Sequence, residues 1–243
     1  SFLAISGSEL HPSNPYGGEV YHFAAINIHN HIDVKDRHPN EVLAMVADQG
    51  GISVSAHPYW SGHTLLDLLP LHGYFAVEVF NTTCGGIGRA YSETHWDDLL
   101  DKVGPVLGIA CDDAHRLDDA YLGWIMAKSQ NLLLESIMTA LCTGAFYSTQ
   151  GPEIIDLCLV ETETTNREGE KVTVRQVQVK SSPATSITFK AQRSRGWHIS
   201  APVGETITEA SWTLSGQEKY VRVEVTAPDW KKAWTQPIMF RSI

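Results

Sequence analysis

The spacing of hydrophobic positions divides the chain into two parts with different periods. In the first part, short apolar runs alternate with segments whose apolar residues recur every three to four positions, and glycine or proline residues separate them. The runs predict strands at residues 2–5, 20–28, 52–56, 75–80 and 106–111, with a further extended segment at 121–127. The helical spacing predicts helices from Pro39 to the Gly50-Gly51 pair and over residues 64–71, 92–103 and 129–143.

This alternation is typical of a parallel sheet or barrel that is covered by helices. In such folds the functional side chains collect at the carboxyl ends of the strands. Polar side chains that suit a binding site follow several of the predicted strands, and they are Glu9, His57, Asn81, Asp113 and His115. Because these coincidences are repeated, we expect the side chains to share one site.

The period changes to two beyond Pro152. Alternating runs predict strands at residues 172–179, 185–192, 209–214, 220–226 and 234–240, and the polar segment 161–171 is predicted to be an exposed hairpin or loop. Short strands separated by turns favour a small antiparallel, immunoglobulin-like β-sandwich. We therefore predict a β/α domain that carries the shared site over residues 1–152 and a β-domain over 153–243.

Composition limits the class of partner. The 18 Lys and Arg residues are outnumbered by 28 Asp and Glu residues, and the net charge of −10 argues against binding to a nucleic-acid backbone. No apolar run has the length of a membrane span. The four cysteines contain no Cys-x-x-Cys pair, which indicates reduced thiols and a cytoplasmic protein, with export left open.

Histidine and carboxylate side chains supply the candidate chemistry. Asp113 and His115 are two residues apart at the end of an apolar run, so extended backbone would point both to the same side. His57 precedes a proline, which makes a stiff end to a strand. Such a ligand set suits zinc, manganese or iron. A free acid–base pair stays open for Asp113 and His115, and a hydrogen-bonded core position stays open for His22.

Other sequence features favour ordinary roles. The polar neighbours of His29 and His31 indicate a solvated loop, although two histidines at this spacing could chelate a metal. The chain contains no Walker or dinucleotide phosphate loop and no Gly-x-Ser-x-Gly elbow. Nucleotide-binding and serine-hydrolase functions are therefore poorly supported.

Taken together, the motifs resemble a known family. They are Ser-Gly-Ser-Glu ending at Glu9, Tyr-His-Phe around His22, Ser-Ala-His-Pro-Tyr-Trp around His57, Glu-Val-Phe-Asn ending at Asn81, and Asp-Asp-Ala-His ending at His115. In this order they are similar to the PHP (polymerase and histidinol phosphatase) superfamily, and within it to the carbaryl-hydrolase-like branch with a C-terminal β-domain. Further matching segments lie at Trp96–Leu100, Gly144–Pro152 and Ala233–Pro237, so the resemblance extends over nearly the whole chain.

The resemblance implies a distorted, TIM-like β/α barrel that holds up to three divalent metal ions and hydrolyses small anionic phosphoesters or related esters. It implies that Glu9 bridges two metals, that His22 and His57 complete one of them, and that Asp113 and His115 serve the other two. Hydroxide on the metal would be the nucleophile.

Four further residues receive roles by position alone. Tyr59, Asn81 and Arg116 are candidate substrate contacts, and Asp112 is expected to order the loop behind the ligands.

One part of the family pattern is missing. Members open with His-x-His and a later Thr-Asp-His before the glutamate motif, whereas eight residues precede Glu9 here. We therefore expect an incomplete barrel with impaired activity, whose open sheet edge a second copy could cover. Two alternatives stay open: a non-catalytic binding or oligomerisation module, and a hydrolase of carbamates or carboxylic esters.

Overall fold

The computed structural model describes residues 2–165 and 168–240. Contacts divide the chain into two compact units, Ser1–Ser148 and Thr149–Ile243. The helices are α1 (Pro39–Asp48), α2 (Leu65–Leu68), α3 (Glu93–Lys102) and α4 (Leu134–Cys142), with 3-10 turns at Thr83–Ile87 and Leu117–Asp119. Within the described ranges, no helix has both the length and the apolar character needed to cross a bilayer.

The first unit is built on one five-stranded sheet. Its strands lie side by side in chain order, and they are β1 (Gly7–Leu10), β2 (Phe23–Ile26), β3 (Ile52–Ser55), β4 (Ala76–Asn81) and β5 (Leu107–Cys111). Strands β3, β4 and β5 are parallel, whereas β1, β2 and β3 pair in antiparallel fashion. Two further short strands, β6 (Trp124–Ala127) and β7 (Phe146–Thr149), follow along the chain.

The mixed α/β class is confirmed, but the TIM-like barrel is not shown. None of the sheets in the described part of the chain is closed, and only three strands of the first unit's main sheet follow the predicted parallel pattern. The connection from β1 to β2 contains no helix, and residues 27–38 precede α1 between β2 and β3. Both connections begin and end at the same edge of the sheet, because the strands that they join are antiparallel, so neither is the crossover that joins parallel strands.

Local sequence predicted the ends of some elements wrongly. The apolar residues 2–5 are not a strand, because the pairing of Gly7 with Ile26 and of Leu10 with Phe23 fixes β1 further along the chain. The helix predicted from residue 129 begins only at Leu134. Ahead of it, Asn131 Oδ1 accepts the Leu133 N–H, so a side chain competes for the backbone donor and forms a turn.

The core of the first unit forms where helices cover the sheet. Val42, Leu43 and Val46 are the buried stripe of α1, and each such side chain contributes about 1.5–3 kcal/mol of burial free energy. On α3 the fully buried Trp96 donates its indole N–H to the carbonyl oxygen of Val106 at 2.8 Å. Gly108 on β5 has no side chain, which leaves room for that indole ring.

Antiparallel strands form the second unit. They are β8 (Ile154–Thr165), β9 (Lys171–Ala184), β10 (Ser186–Lys190), β11 (Gly196–Ser200), β12 (Ile207–Thr213), β13 (Tyr220–Thr226), β14 (Lys232–Thr235) and β15 (Ile238–Met239). One sheet has the order β12-β9-β8, and β11-β10-β13-β14 are neighbours in another, with β15 paired to β13. The pairing of β8 with β9 makes 161–171 an exposed hairpin, of which residues 166 and 167 lie outside the described residues.

A buried carboxylate lies among cations in this unit. Glu224 Oε1 is 2.8 Å from Lys232 Nζ, and its Oε2 is 3.1 Å from Lys190 Nζ and 3.7 Å from the fully buried Arg222 Nη1. Burial raises the pKa of Glu224, but the three positive charges outweigh it and hold this pKa well below the ordinary value. The second unit therefore depends on an ionised glutamate in its interior.

We predict that Glu224→Gln destabilises the protein in a pH-dependent way. Because the pKa of Glu224 is lower in the folded than in the unfolded state, its charge stabilises the fold fully above the ordinary glutamate value of about 4.3, and this contribution is lost as the pH falls through the folded pKa. Removing one partner of a buried ion cluster costs about 3–5 kcal/mol. Thermal unfolding should show a large difference between wild type and variant at pH 7 that shrinks towards pH 3; an equal difference at both pH values would contradict the prediction.

We also predict that Gly108→Ala destabilises the first unit by about 1–3 kcal/mol, the usual cost of overpacking a core. A Cβ atom at this position would lie 2.7 Å from the Trp96 ring, which cannot move without losing its hydrogen bond. Urea unfolding measures the effect. Gly86→Ala is the matched control, since a Cβ there meets nothing within 4 Å and should leave the unfolding midpoint nearly unchanged.

Candidate metal centre

The candidate side chains gather at one edge of the five-stranded sheet. His57 and Asp113 follow the carboxyl ends of the parallel strands β3 and β5, and Asn81 ends β4 between them. His22 instead precedes its strand. Because β2 runs opposite to β3, its first residue Phe23 pairs with Ser55 at the end of β3, and His22 reaches the same edge.

The reversal of β1 against β2 adds two more side chains to this edge. Leu10 pairs with Phe23, so the end of β1 lies beside the beginning of β2. Glu9 and His11 flank Leu10 and are two residues apart, which sends their side chains to the same side.

Three imidazoles converge on one carboxylate oxygen. Glu9 Oε1 is 2.5 Å from His22 Nδ1, 3.1 Å from His11 Nε2 and 3.7 Å from His57 Nε2. The ligand atoms of Glu9, His11 and His22 all lie within 4.8 Å of one another, close enough to hold a metal ion together. The structure thus brings together three predicted ligands and adds His11, which the sequence analysis missed. The signal was present, since Glu9 and His11 have the same two-residue spacing as Asp113 and His115.

Hydrogen bonds fix the orientation of the buried His57. Its Nδ1 is 3.1 Å from Ser61 Oγ, which leaves Nε2 towards Glu9. Its backbone N–H donates to Glu78 Oε2 at 2.8 Å. The backbone has a φ of 27°, in the left-handed region that is costly for a residue with a side chain and that is often found at functional sites.

Asp113 and His115 line the same cavity but form a separate pair. Asp113 Oδ2 accepts a hydrogen bond from Asn81 Nδ2 at 3.2 Å, and its backbone has a φ of 50°. His115 Nδ1 lies 2.7 Å from the carbonyl oxygen of Asp113 and 3.9 Å from its carboxylate Oδ1. The cavity has a volume of about 280 Å³, and its wall is completed by Trp60, Thr83 and Cys84.

Asp112 has a role in the loop and does not line the cavity. Its Oδ1 accepts the N–H groups of Leu122 and Gly123 at 2.9 and 2.7 Å, and its Oδ2 accepts that of Tyr121 at 2.6 Å. Its Oδ1 also accepts the Thr82 hydroxyl at 3.2 Å. These bonds tie the end of β5 to the loop that follows His115.

The three predicted substrate contacts are not among the described residues that line this cavity. The Tyr59 ring lies under the Arg89 guanidinium at 5.3 Å from the ring centroid, and Arg116 is exposed. Asn81 is 1% exposed and binds neighbouring protein groups. A role in substrate binding stays a prediction for each of them.

Electrostatics at the site favour an ionised Glu9 and raise the pKa of His57. Hydrogen bonds from His22 and His57 hold the pKa of Glu9 far below its usual range, although burial acts in the opposite direction. Burial lowers the pKa of His57, but the hydrogen bond to Glu9 and the negative charges of Glu78 and Asp113 outweigh this effect, so the net shift is upward. Where an imidazole such as that of His57 shares a proton with a carboxylate, a divalent cation can take the place of the proton.

Chemistry of the donor set fits a first-row divalent ion. Imidazole nitrogen and carboxylate oxygen are ligands of zinc, manganese and iron, and three or four such groups leave room for water or substrate. His29 and His31 are exposed, and Gln49 Oε1 accepts the backbone N–H of His29, as expected of an ordered solvated loop. The candidate centre is therefore the group around Glu9.

Comparison with solved structures finds distant similarities. The chain is similar to the crystal structure of a two-domain protein containing a predicted PHP-like metal-dependent phosphoesterase from Bacteroides vulgatus ATCC 8482, with 16% sequence identity and a TM-score of 0.49 over 98% of this chain and 75% of that chain. No protein-family model and no curated protein matches the chain. A similarity this weak does not assign the chain to a family. The function of the centre is therefore argued from its own side chains.

We predict that the Cys84 thiol resists alkylation even though it lines the cavity. Burial and the negative charges of Glu78, Asp113 and Glu9 raise its pKa to about 12, so almost no reactive thiolate forms at pH 8. Iodoacetamide labelling followed by peptide mass spectrometry should modify the exposed Cys142 first and Cys84 only after denaturation. Labelling of native Cys84 at the rate of Cys142 would show that the thiol is ionised or accessible.

Proposed function

We propose that this protein is a metal-dependent hydrolase that acts on small phosphoesters. The observation that carries the proposal is the convergence of His11, His22 and His57 on one oxygen of Glu9 at the wall of an open cavity. A lone glutamate can be paired with one histidine for structural reasons. Three imidazoles around a single carboxylate oxygen are better explained by a cation that all four groups bind.

A divalent ion held by Glu9, His11, His22 and His57 would polarise a phosphoryl oxygen and lower the pKa of a water molecule. The protein fixes the ligands for this task. Ser61 Oγ holds Nδ1 of His57, and such a bond to the far ring nitrogen sets both the tautomer and the direction of the ring.

The cavity wall can bind an anionic substrate only if a cation is bound there as well. Among the described residues that line it there is no lysine or arginine, whereas Glu9 and Asp113 contribute two carboxylates. A phosphate group would be repelled by these carboxylates. The imidazoles and the ion they bind are thus the groups that would neutralise it.

Asp113 and His115 are proposed as a second ligand pair. They line the same cavity as Glu9, and Asn81 fixes the Asp113 carboxylate. Because the Nδ1 atom of His115 is bound to the Asp113 carbonyl oxygen, Nε2 is the ring atom that we assign to ligation.

We predict that the purified protein binds Zn²⁺ or Mn²⁺ and that Glu9→Ala, His22→Ala and His57→Ala each lose the metal. Removal of groups that only orient metal ligands costs about 10–100-fold in metal affinity, so removal of a direct ligand should cost at least as much. Elemental analysis and isothermal titration measure the binding. His72→Ala is a matched histidine control, since His72 is exposed and is not a member of the centre.

Turnover is tested with phosphate monoesters, phosphodiesters, carboxylic esters and carbamates in the presence of Zn²⁺ or Mn²⁺. We expect hydrolysis of phosphoesters that falls together with the metal content of the ligand variants. Hydrolysis restricted to carboxylic esters or carbamates would change the proposed bond but keep the centre. Metal binding without turnover would favour the non-catalytic alternative, and unchanged metal content in both Glu9→Ala and His57→Ala would refute the centre itself.

A further inference from the structure

An irregularity in β4 brings together two polar side chains that contact residues of the candidate metal centre. Glu78 pairs with Ile109 on β5, but the next pair joins Phe80 to Ala110, so β4 contains one residue more than its partner. In a regular strand, residues three apart point to opposite faces of the sheet. The extra residue cancels this alternation, and Asn81 Nδ2 donates to Glu78 Oε2 at 3.0 Å.

This pair connects the ends of three neighbouring strands. Glu78 Oε2 also accepts the backbone N–H of His57, which follows β3, at 2.8 Å. Asn81 Nδ2 also approaches Oδ2 of Asp113, which follows β5, at 3.2 Å, and Asn81 Oδ1 accepts the N–H of Cys84 at 3.1 Å. Strand β4 supplies no residue to the cavity wall near Glu9, yet it contacts members of the centre on both sides.

The backbone conformations of His57 and Asp113 need to be stabilised by their surroundings. His57 and Asp113 have φ values of 27° and 50°, and a residue with a side chain in this region costs of order 1–3 kcal/mol unless its surroundings hold it there. Glu78 accepts the backbone N–H of His57, and Asn81 donates to the carboxylate of Asp113.

Stability alone does not explain a glutamate at this position. Glu78 is 5% exposed, and burial of an acidic group is costly, whereas an apolar side chain of similar volume would suit an interior strand. Its Oε2 accepts hydrogen bonds from His57 and Asn81, and the Cys111 thiol is a further partner. A costly buried group that contacts the centre through these bonds is better explained by a role in its geometry.

We propose that Glu78 is a positioning residue that, together with Asn81, sets the distance between His57 and Asp113 at the cavity. The proposal rests on the proposed function for what these two residues bind, but the positioning itself is a property of the chain. It also gives Asn81 a role in positioning instead of the substrate contact that its place in the sequence predicts.

Three variants of β4 test the role of Glu78. Glu78→Ala removes the acceptor of both hydrogen bonds, and Glu78→Gln keeps one side-chain oxygen that can accept them. Val77→Ala is the matched control, since Val77 is fully buried on the same strand and does not contact the centre. Two readouts are measured for each variant: Co²⁺ binding followed by its visible absorption spectrum, and hydrogen exchange of the His57 amide without metal.

We expect Glu78→Ala to weaken Co²⁺ binding by about 10–100-fold, to change the Co²⁺ spectrum, and to speed exchange of the His57 amide. Glu78→Gln should restore both readouts most of the way to wild type. Val77→Ala should lower the unfolding temperature and leave both readouts at their wild-type values.

The proposal is overturned if Glu78→Ala leaves both readouts unchanged, or if Val77→Ala alters them as strongly, because the effect would then follow from stability alone. A wild-type protein that binds no Co²⁺, Zn²⁺ or Mn²⁺ would refute the proposed function. In that case the exchange rate of the His57 amide still decides the role of Glu78.

Discussion

The direction of β2 is the constraint on which the centre depends. Strands β3, β4 and β5 are parallel, so the residues after them meet at one edge, but a parallel β2 would carry His22 to the opposite edge. Antiparallel pairing reverses that strand, and β1 reverses again beside it. As a result the carboxylate of Glu9 and the imidazole of His22 come from residues 13 positions apart in sequence and still form the shortest contact of the centre.

The sequence predicts much of the first unit because burial and backbone signals agree there. Pro39 begins α1 and Gly50 follows its end, as the helical spacing indicates, and the run that ends at Asn81 is the fully buried β4. The strand β8 was missed for the opposite reason. Most of its residues are exposed or half-buried, so it is held by hydrogen bonds to β9 over its length and leaves no apolar period in the sequence.

The grouping of the candidate side chains was predicted in part for a similar reason. Glu9, His22, His57, Asp113 and His115 do line one cavity. Hydrophobic runs explain this for His57 and Asp113, which follow the predicted strands β3 and β5, whereas Glu9 lies within β1 and His22 precedes β2. What could not be inferred is the pairing direction, which adds His11, and the extra residue in β4, which turns Glu78 towards Asn81. Both depend on contacts between segments that are distant in sequence, and neither leaves a local pattern.

The left-handed backbone of His57 is unfavourable for the stability of the fold, whereas the proposed centre requires an imidazole at this position. Glycine would adopt its φ of 27° without steric cost and asparagine would do so more easily than histidine, so a population selected only for a stable fold should drift towards these residues. The proposed metal centre gives a reason for a histidine at this position, since it uses the imidazole as a ligand. Under the proposed function, homologous chains that carry glycine or asparagine at this position are expected to keep the fold and to lack this metal ligand.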